Sequence, residues 1–329
     1  MRTLLIPACG TSRLEGVPRM LVRHPSKELL MKRCIQGFHD YSFDQIYFII
    51  RKSDEVKYNI KNLVKKEMAD IPNLTLVFLD EDTTCPAQTV YCAIKKLHIT
   101  GEIVIHDSDI YVDIPSITSP NFVVGTNIMK TNPTVTNIKD KCFLKINEQN
   151  CVLDLIEKRV KSDTICLGVY GIDDADLFIH AYESLSSIDT IADHLYISHI
   201  MSYLLGTESK IISYYNVDTY ENWADDSSWA NLKCMLGTYL INFDELIERK
   251  DSVNYEIYYK HSARLQQLQD YGAKLVFFTT LSENNHEKIS ACLNRYNINP
   301  HDIIFNCSHN ATYIINTKND LKHQLLNIG

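Results

Sequence analysis

Several features common in proteins are missing from this sequence, and each absence excludes a class. No apolar run approaches the ~20 residues of a membrane-spanning helix. The apolar stretch at the N-terminus is also too short for a signal peptide. Lys and Arg number 33 against 41 Asp and Glu, with no block of like charge, so the basic surplus of a general nucleic-acid binder is missing. We therefore expect a cytoplasmic protein with no membrane or nucleic-acid partner.

The cysteines show a second absence, because none of the ten forms a CxxC pair. They are scattered singly, several in apolar runs such as those around Cys166 and Cys234, which favours reduced thiols over a disulfide framework. The composition, 45% hydrophobic and 22% charged, is that of a globular protein. A length of 329 residues suggests two domains, and the sequence leaves homo-oligomerisation open.

The hydrophobic pattern alternates between two periods along the first part of the chain. Apolar runs rich in β-branched residues predict buried strands, and amphipathic stretches between them predict helices. The strands are expected at 4–8, 45–50, 74–79 and 102–106, and the helices at 29–38, 56–68 and 87–97. Shorter strands follow at 122–126, 141–146 and 164–170, and then helices at 173–185 and 192–205. This alternation predicts an α/β fold with a mixed, mostly parallel sheet.

The pattern breaks at NWADDSSW, residues 222–229, which is polar and aperiodic and is predicted to be a linker. A second α/β pattern follows, with strands at 236–243, 274–279, 302–305 and 313–315 and helices at 255–271 and 283–296. We therefore expect one domain over residues 1–229 and a smaller one over 230–329.

The first predicted strand runs into PACGTSR, residues 7–13. Small residues directly after a buried strand let backbone N–H groups of the turn, and of a helix that starts after it, approach a phosphate chain. Arg13 and Arg19 add two cations on either side of this loop, as a triphosphate site requires. From these residues alone, an ordinary strand-to-helix turn with two solvated arginines is an equal alternative.

The same stretch resembles the signature of the nucleotidyltransferases with a GT-A-like Rossmann core, including a bacterial subgroup that makes precursors of capsule or lipopolysaccharide. The resemblance implies that Arg13 and Arg19 hold the triphosphate. It also implies a nucleotide-binding set made of Pro7, Ala8, Cys9, Gly10, Thr11 and Ser12. The loop is one residue shorter than the commonest form, and Arg19 stands where that family has Lys, which is not an equivalent donor.

Two carboxylates follow the strand at 102–106, in HDSDIYV, residues 106–112. Carboxylates at the end of a buried strand are costly unless they are paired or bind a metal, and Mg²⁺ prefers a few carboxylates plus phosphate oxygens. An acidic turn is the alternative. The resemblance implies that this is the metal site, with Asp109 as the better ligand and Asp107 as the second, beside the nucleotide.

Three more segments match the family in order, so that the resemblance runs from about Arg2 to Trp223. TTCPAQTV, residues 83–90, implies that Ala87 and Gln88 face the nucleotide base, and a Gln amide can both donate and accept. VLDLIEK and SDTICLGVY imply that Glu157, Lys158 and Gly168 hold the acceptor, Lys158 at its phosphate. YNVDTYENW, residues 215–223, implies that Asn216 or Asp218 is the second metal ligand; which of the two is left open.

The second domain resembles the haloacid-dehalogenase-like family. GAKLVFFTT, residues 272–280, is similar to that family's second strand, which ends in Thr or Ser, and Thr279 or Thr280 fits that end. The first strand, in LGTYLINFDEL, shows no D-x-D, and Asp244-Glu245 is the nearest acidic pair. Because the chemistry of that family needs a nucleophilic Asp, we expect a non-catalytic domain.

The expected activity is a magnesium-dependent transfer of a nucleotidyl group from an NTP to a phosphorylated small molecule, with release of pyrophosphate. A sugar 1-phosphate is the default acceptor; polyol phosphates, phosphocholine and phosphoglutamine-like compounds stay open. Two alternatives remain. One is a catalytically silent protein that binds nucleotide sugars, and the other is a phosphatase acting through the second domain.

Overall fold

The computed structural model describes residues 1–39, 42–130, 135–188, 195–249 and 255–308. It divides the chain into two compact units, Met1–Leu232 and Lys233–Gly329. The predicted strand at 313–315 lies outside the described residues.

The first unit contains thirteen described strands and seven described α-helices. The strands are β1 Arg2–Ala8, β2 Arg13–Leu14, β3 Val17–Pro18, β4 Gln45–Arg51, β5 Leu74–Leu79, β6 Glu102–His106, β7 Ile110–Val112, β8 Phe122–Asn127, β9 Cys142–Ile146, β10 Val152–Glu157, β11 Thr164–Ile172, β12 Ser213–Asn216 and β13 Tyr220–Asn222. The helices are α1 Leu30–Ile35, α2 Lys52–Tyr58, α3 Ile60–Glu67, α4 Pro86–Leu97, α5 Ala175–Ser186, α6 Ile197–Gly206 and α7 Asp226–Met235, which runs across the division between the units. Most of the predicted elements are therefore present, with ends that differ by a few residues.

The central sheet of this unit is mixed, in the order β10-β9-β11-β6-β1-β4-β5, with β8 also paired to β11 and β12 paired to β8. β1 pairs in parallel with β4 and β6, and β4 pairs in parallel with β5. β11 pairs antiparallel with β6, β8 and β9. The predicted mixed α/β sheet is confirmed, and the carboxyl ends of β1 and β6 lie side by side, which is where open α/β sheets bind ligands.

Helices α4, α5 and α6 pack against each other and against the sheet. Their apolar residues and those of β1, β6 and β11 form one core cluster, in which Leu5, Ile105 and Phe178 are fully buried. Buried apolar area of this kind is the main favourable term in folding. The packed helices therefore support the edge of the sheet at which the carboxyl ends of β1 and β6 lie.

The predicted linker at 222–229 is wrong. Trp223 and Trp229 are 0% and 3% exposed, and both indole N–H groups donate hydrogen bonds, to Ser108 and to Glu15 respectively. The polar residues between them begin α7 instead. The polar, aperiodic stretch at 222–229 therefore contains two large buried aromatic residues, Trp223 and Trp229, whose burial stabilises this part of the unit.

The predicted helix at 56–68 is two helices, because Asn59 adopts a left-handed conformation with φ of 52°. Asn tolerates that conformation better than most residues do.

The second unit contains β14 Thr238–Asn242, α8 Phe243–Leu246, β15 Ile247–Arg249, β16 Tyr255–Ile257, α9 Tyr259–Asp270, β17 Lys274–Phe278, α10 His286–Arg295 and β18 Asp302–Ile304. β14, β17 and β18 form a parallel sheet in that order. Residues 255–257, predicted as the start of a helix, pair with β15 instead, and Tyr255 and Ile257 enter the core of this unit. This unit is also α/β.

No helix among the described residues is long and apolar enough to cross a membrane. All ten cysteines are free thiols, although Cys234 lies in helix α7 and not in a strand.

Candidate active site

A cavity of about 730 Å³ lies in the first unit at the carboxyl ends of β1 and β6. This is the size of sites that hold small-molecule ligands. It is lined by Pro7, Cys9, Gly10, Arg19, Thr83, Thr84, Cys85, Pro86, Thr89, Asp107, Ser108, Asp109, Ile110, Val135, Asp140, Lys141, Cys142, Glu157, Lys158, Ile165, Cys166, Leu167, Gly168, Tyr170, Tyr196, Ile197, Ser198, Asn222 and Ala224. The structure thus brings together Arg19, both aspartates of the HDSD run, and the Glu157-Lys158 pair.

Asp107 and Asp109 stand on the cavity wall directly after β6. The pKa of Asp107 is raised to about 8, mainly by loss of contact with bulk water and also by the nearby charges of Asp109 and Glu157, while Lys141 opposes the rise. Asp109 instead forms an ion pair with Arg19, with 3.1 Å between Nη1 and Oδ2. Two carboxylates forced close together in a partly dry site favour a bound cation.

Gly168 allows Asp107 to occupy its position. Its φ is +70°, and a Cβ atom added there would lie 2.2 Å from Oδ2 of Asp107. The N–H of Asp107 also donates to the Gly168 carbonyl at 2.9 Å. Any larger residue would push the carboxylate out of the cavity wall, so Gly168 acts on the carboxylate pair as well as lining the cavity.

The loop after β1 is only partly at the cavity. Pro7, Cys9 and Gly10 line it, whereas Ala8, Thr11 and Ser12 are not among the lining residues. The helix start expected after this loop is wrong, since a β2–β3 hairpin follows. Glu15 and Gly16 both have positive φ, 52° and 81°, as a two-residue hairpin turn requires.

The two arginines have different positions. Arg19 lies in a short 3₁₀ turn, Arg19–Leu21, and reaches the cavity beside Asp109. Arg13 is not among the lining residues, and its guanidinium is bonded to carbonyl groups of its own loop and to Asp54. Of the two predicted triphosphate cations, the structure places one in the cavity.

Glu157 is the last residue of β10 and Lys158 follows it, and both line the cavity. The hydroxyl of Ser198 donates to Oε2 of Glu157 at 2.6 Å. The ammonium of Lys158 bonds to the hydroxyl of Tyr196 and lies 4.6 Å from the centre of its ring. The hydrogen bond to Tyr196 raises the pKa of Lys158, which keeps it charged.

Ala87 and Gln88 lie at the start of α4 but are not among the lining residues. Ala87 is fully buried in the core. The amide oxygen of Gln88 accepts hydrogen bonds from the N–H and the hydroxyl of Thr84, at 2.7 and 3.1 Å. In this arrangement Gln88 orders the turn before α4, and Thr84 and its neighbours face the cavity.

Asn216 and Asp218 are exposed and lie outside the cavity lining. The side chains bond to each other at 3.3 Å, and Asn216 also accepts from Tyr214. The structure therefore does not bring either beside Asp109. Asn222 lines the cavity instead, because β13 pairs with β7 and sets Asn222 opposite Ile110.

Sequence reasoning missed Asn222 and Lys141, both of which line the cavity. Asn222 belongs to the same motif as Asp218, but strand pairing selects the later residue. Lys141 precedes β9, and the Lys158 N–H donates to its carbonyl at 3.1 Å, which sets the two lysines next to each other in the backbone. No sequence signal separates Lys141 from the other surface lysines.

The residues fit a magnesium ion that is completed by a substrate. The described residues contain no group of three or more His, Cys, Asp or Glu side chains that could hold a metal alone. Mg²⁺ usually binds one or two carboxylates together with phosphate oxygens and water. The carboxylates of Asp107 and Asp109, which both line the cavity, provide that donor set.

The second unit has a carboxylate of its own at a strand end. Asp244 accepts from the Thr279 hydroxyl at 2.6 Å and from the Thr280 N–H and hydroxyl, both at 2.8 Å. The resemblance to the haloacid-dehalogenase-like family implies a late acidic segment at residues 313–317, which lie outside the described residues.

The mixed, mostly parallel α/β sheet is similar to that of solved nucleotidyltransferases, whose structures match 70% of the chain. One is the nucleoside-diphosphate-sugar pyrophosphorylase from Vibrio cholerae, with a TM-score of 0.56 and 15% identity over 70% of this chain and 98% of that one. Another is the CTP:phosphocholine cytidylyltransferase from Streptococcus pneumoniae, with a TM-score of 0.51 and 17% identity over 70% of this chain and 97% of that one. No family model and no curated protein matches the sequence. At these identities the likeness concerns the fold.

Proposed function

We propose that the first unit is a nucleotidyltransferase that joins an NTP to a phosphorylated small molecule and releases pyrophosphate. The observation that carries the proposal is the charge pattern of the cavity. The carboxylates of Asp107 and Asp109 share the cavity lining with three cations: Arg19, which pairs with Asp109, and Lys141 and Lys158. Several cations and a carboxylate pair in one cavity suit two anionic substrates that must meet.

In the proposed reaction, an oxygen of the acceptor phosphate attacks the α-phosphorus of the NTP. The bond from that phosphorus to the bridging oxygen of the β-phosphate breaks, and pyrophosphate leaves with the electron pair. No general base is needed, because the acceptor phosphate is ionised at neutral pH. The work of the chain is to position the two substrates and balance their charge.

The residues have separate tasks in this scheme. Arg19 would hold the triphosphate and the leaving pyrophosphate, and Lys158, with Lys141 beside it, would hold the acceptor phosphate. Glu157, fixed by Ser198, would accept hydroxyl donors of the acceptor. Mg²⁺ bound to Asp109 and Asp107 would supply positive charge at the reacting phosphates. Asn216 or Asp218 could act as the second metal ligand only if β12 and the turn after it moved toward Asp109.

The solved relatives support the reaction class. One is named for nucleoside-diphosphate-sugar pyrophosphorylase activity and one for transfer from CTP to phosphocholine. We propose a sugar 1-phosphate as the acceptor. Location in the cytoplasm and use of the product in surface-polysaccharide synthesis stay predictions, as does a homo-oligomeric state.

The test is pyrophosphate release with Mg²⁺, each of the four NTPs, and a panel of sugar 1-phosphates, polyol phosphates and phosphocholine. We expect one NTP and one acceptor class to give turnover that EDTA abolishes. NTP binding without turnover on any acceptor would contradict the proposal and support a silent binding protein. Release of inorganic phosphate that depends on residues of the second unit would support the alternative of a phosphatase.

A further inference from the structure

The guanidinium of Arg13 is committed to its own loop, residues 9–13. Its Nη1 donates to the carbonyls of Gly10, Thr11 and Ser12 at 3.4, 3.1 and 3.3 Å. Its Nη2 donates to Oδ1 of Asp54 at 2.9 Å. One side chain therefore ties three successive peptide groups to helix α2.

Asp54 holds the other end of this tie. It lies in the first turn of α2 and is 3% exposed. Its Oδ2 is buried and has no hydrogen-bond partner among the described residues, so the bond from Arg13 is the main compensation for removing this carboxylate from water. The Arg13 side chain is 30% exposed, but its release would leave the buried Asp54 carboxylate without its cation, which is strongly unfavourable. Arg13 is therefore held in place and is not a freely moving surface cation.

The geometry of the peptide group gives this tie a consequence for the loop. A trans peptide is planar, with its C=O and the following N–H on opposite sides. Carbonyls of residues 10–12 that point toward Arg13 therefore send the N–H groups of residues 11–13 the other way. The Cys9 thiol anchors the start of the loop by donating to the Ile49 carbonyl at 3.5 Å. Successive N–H groups fixed on one side of a loop form an anion-binding nest.

We propose that Arg13 and Asp54 are a positioning pair that shapes residues 9–13, a loop that reaches the cavity through Cys9 and Gly10, for the triphosphate, and that Arg13 is not itself a phosphate ligand. This inference rests on the proposed function. It gives the chain a positioning carboxylate, Asp54, which no sequence motif indicates, and it divides the two arginines by role: Arg19 faces the substrate and Arg13 faces the loop.

The kinetic test compares Asp54→Asn, Arg13→Lys and the double variant. Arg13→Lys keeps the charge but loses the planar fork that reaches four acceptors. We expect each single variant to raise the KM for NTP about tenfold or more and the KM for the acceptor by no more than about twofold, since a loop shifted by ~1 Å costs binding locally. The double variant should be no worse than the worse single one. Glu55→Gln, on the same helix, is the matched control and should behave as wild type, because within the described part of the chain its carboxylate accepts a hydrogen bond only from the Lys61 N–H.

A readout independent of turnover is amide hydrogen exchange of residues 9–13. Exchange should be faster in Asp54→Asn than in wild type and in Glu55→Gln, with the thermal melt checking that each variant folds. Unchanged exchange and unchanged KM for NTP in Asp54→Asn would overturn the proposal. Additive effects of the two substitutions would also overturn it, because they would mean that Arg13 contacts phosphate directly. If the wild type turns over no NTP, the proposed function fails, and the exchange data still decide whether the pair shapes the loop.

Discussion

Both units place an aspartate at the carboxyl end of a parallel strand, but the two sites differ in what surrounds the carboxylate. Asp107, after β6, faces a cavity with a second carboxylate close by, and its pKa is raised to about 8. Asp244, after β14, receives three hydrogen bonds from Thr279 and Thr280. The carboxylate of Asp107 lacks enough favourable contacts to offset its removal from water, whereas the carboxylate of Asp244 accepts hydrogen bonds at both oxygens.

At the same place in two α/β sheets, one aspartate is therefore available to bind a ligand and the other holds the protein structure together. A carboxylate whose oxygens are all bonded within the protein has little capacity left for a metal or a substrate. A pair of carboxylates in a partly dry cavity needs a partner from outside the protein. Substitutions at the two sites test this contrast between the Asp107–Asp109 pair and Asp244.

The largest effect is expected at the carboxylate pair. Asp109→Asn should lower turnover by about 100-fold or more while leaving the thermal melt near that of wild type, because it removes the proposed metal ligand. Pyrophosphate release with Mg²⁺ measures this. Asp113→Asn, four residues on and half-exposed, is the matched control and should stay near wild type. Near wild-type turnover in Asp109→Asn would show that Asp109 does not hold the metal.

The same experiment on the second unit should change stability and not activity. Asp244→Ala leaves the Thr280 N–H and two hydroxyls without their acceptor, which should cost about 1–3 kcal/mol in the free energy of unfolding of that unit. Urea denaturation measures the loss, and the release of pyrophosphate should be unaffected. Magnesium-dependent hydrolysis of an aryl phosphate by the wild type, lost in Asp244→Asn, would instead make Asp244 catalytic.

Lys158 should act on one substrate only. Lys158→Ala is expected to raise the KM for the phosphorylated acceptor about tenfold, roughly 1.4 kcal/mol of binding, with a much smaller effect on the KM for NTP. Lys139→Ala, an exposed lysine outside the cavity lining, is the control. Equal increases for both substrates would point to a structural role through Tyr196.

The last expected effect is a pH dependence of stability in EDTA. With the pKa of Asp107 at about 8 when folded and ~3.9 when unfolded, the folded chain binds more protons between those values. The free energy of unfolding then falls as the pH rises through this window. We expect a lower melting temperature at the upper end of the window, with Mg²⁺ restoring stability most there. Asp107→Asn should reduce the slope of the free energy of unfolding against pH. An unchanged slope would contradict the assignment of this pH dependence to the carboxyl group of Asp107.

The sequence alone was sufficient for the α/β class and for the strands from 4–8 to 102–106. Their apolar β-branched runs and the amphipathic stretches between them allow few other arrangements. Its strand pattern also indicated Asp107 and Asp109, while Arg19, Glu157 and Lys158 were singled out through the resemblance to the nucleotidyltransferases, and the structure gathers all five around one cavity. Strand ends can be read from local pattern, and parallel strands send equivalent ends to one edge.

Only the tertiary structure decided which polar residues share the cavity and which are used elsewhere. Asn222 enters through the pairing of β13 with β7, while Asn216 and Asp218 stay outside. Arg13 is drawn to Asp54, 41 residues away in sequence, and Trp223 and Trp229 are buried inside a stretch that looks like a linker. Each outcome depends on a partner distant in the chain. Such partners are selected by hydrogen bonding and packing in the folded state, and local periodicity carries no record of them.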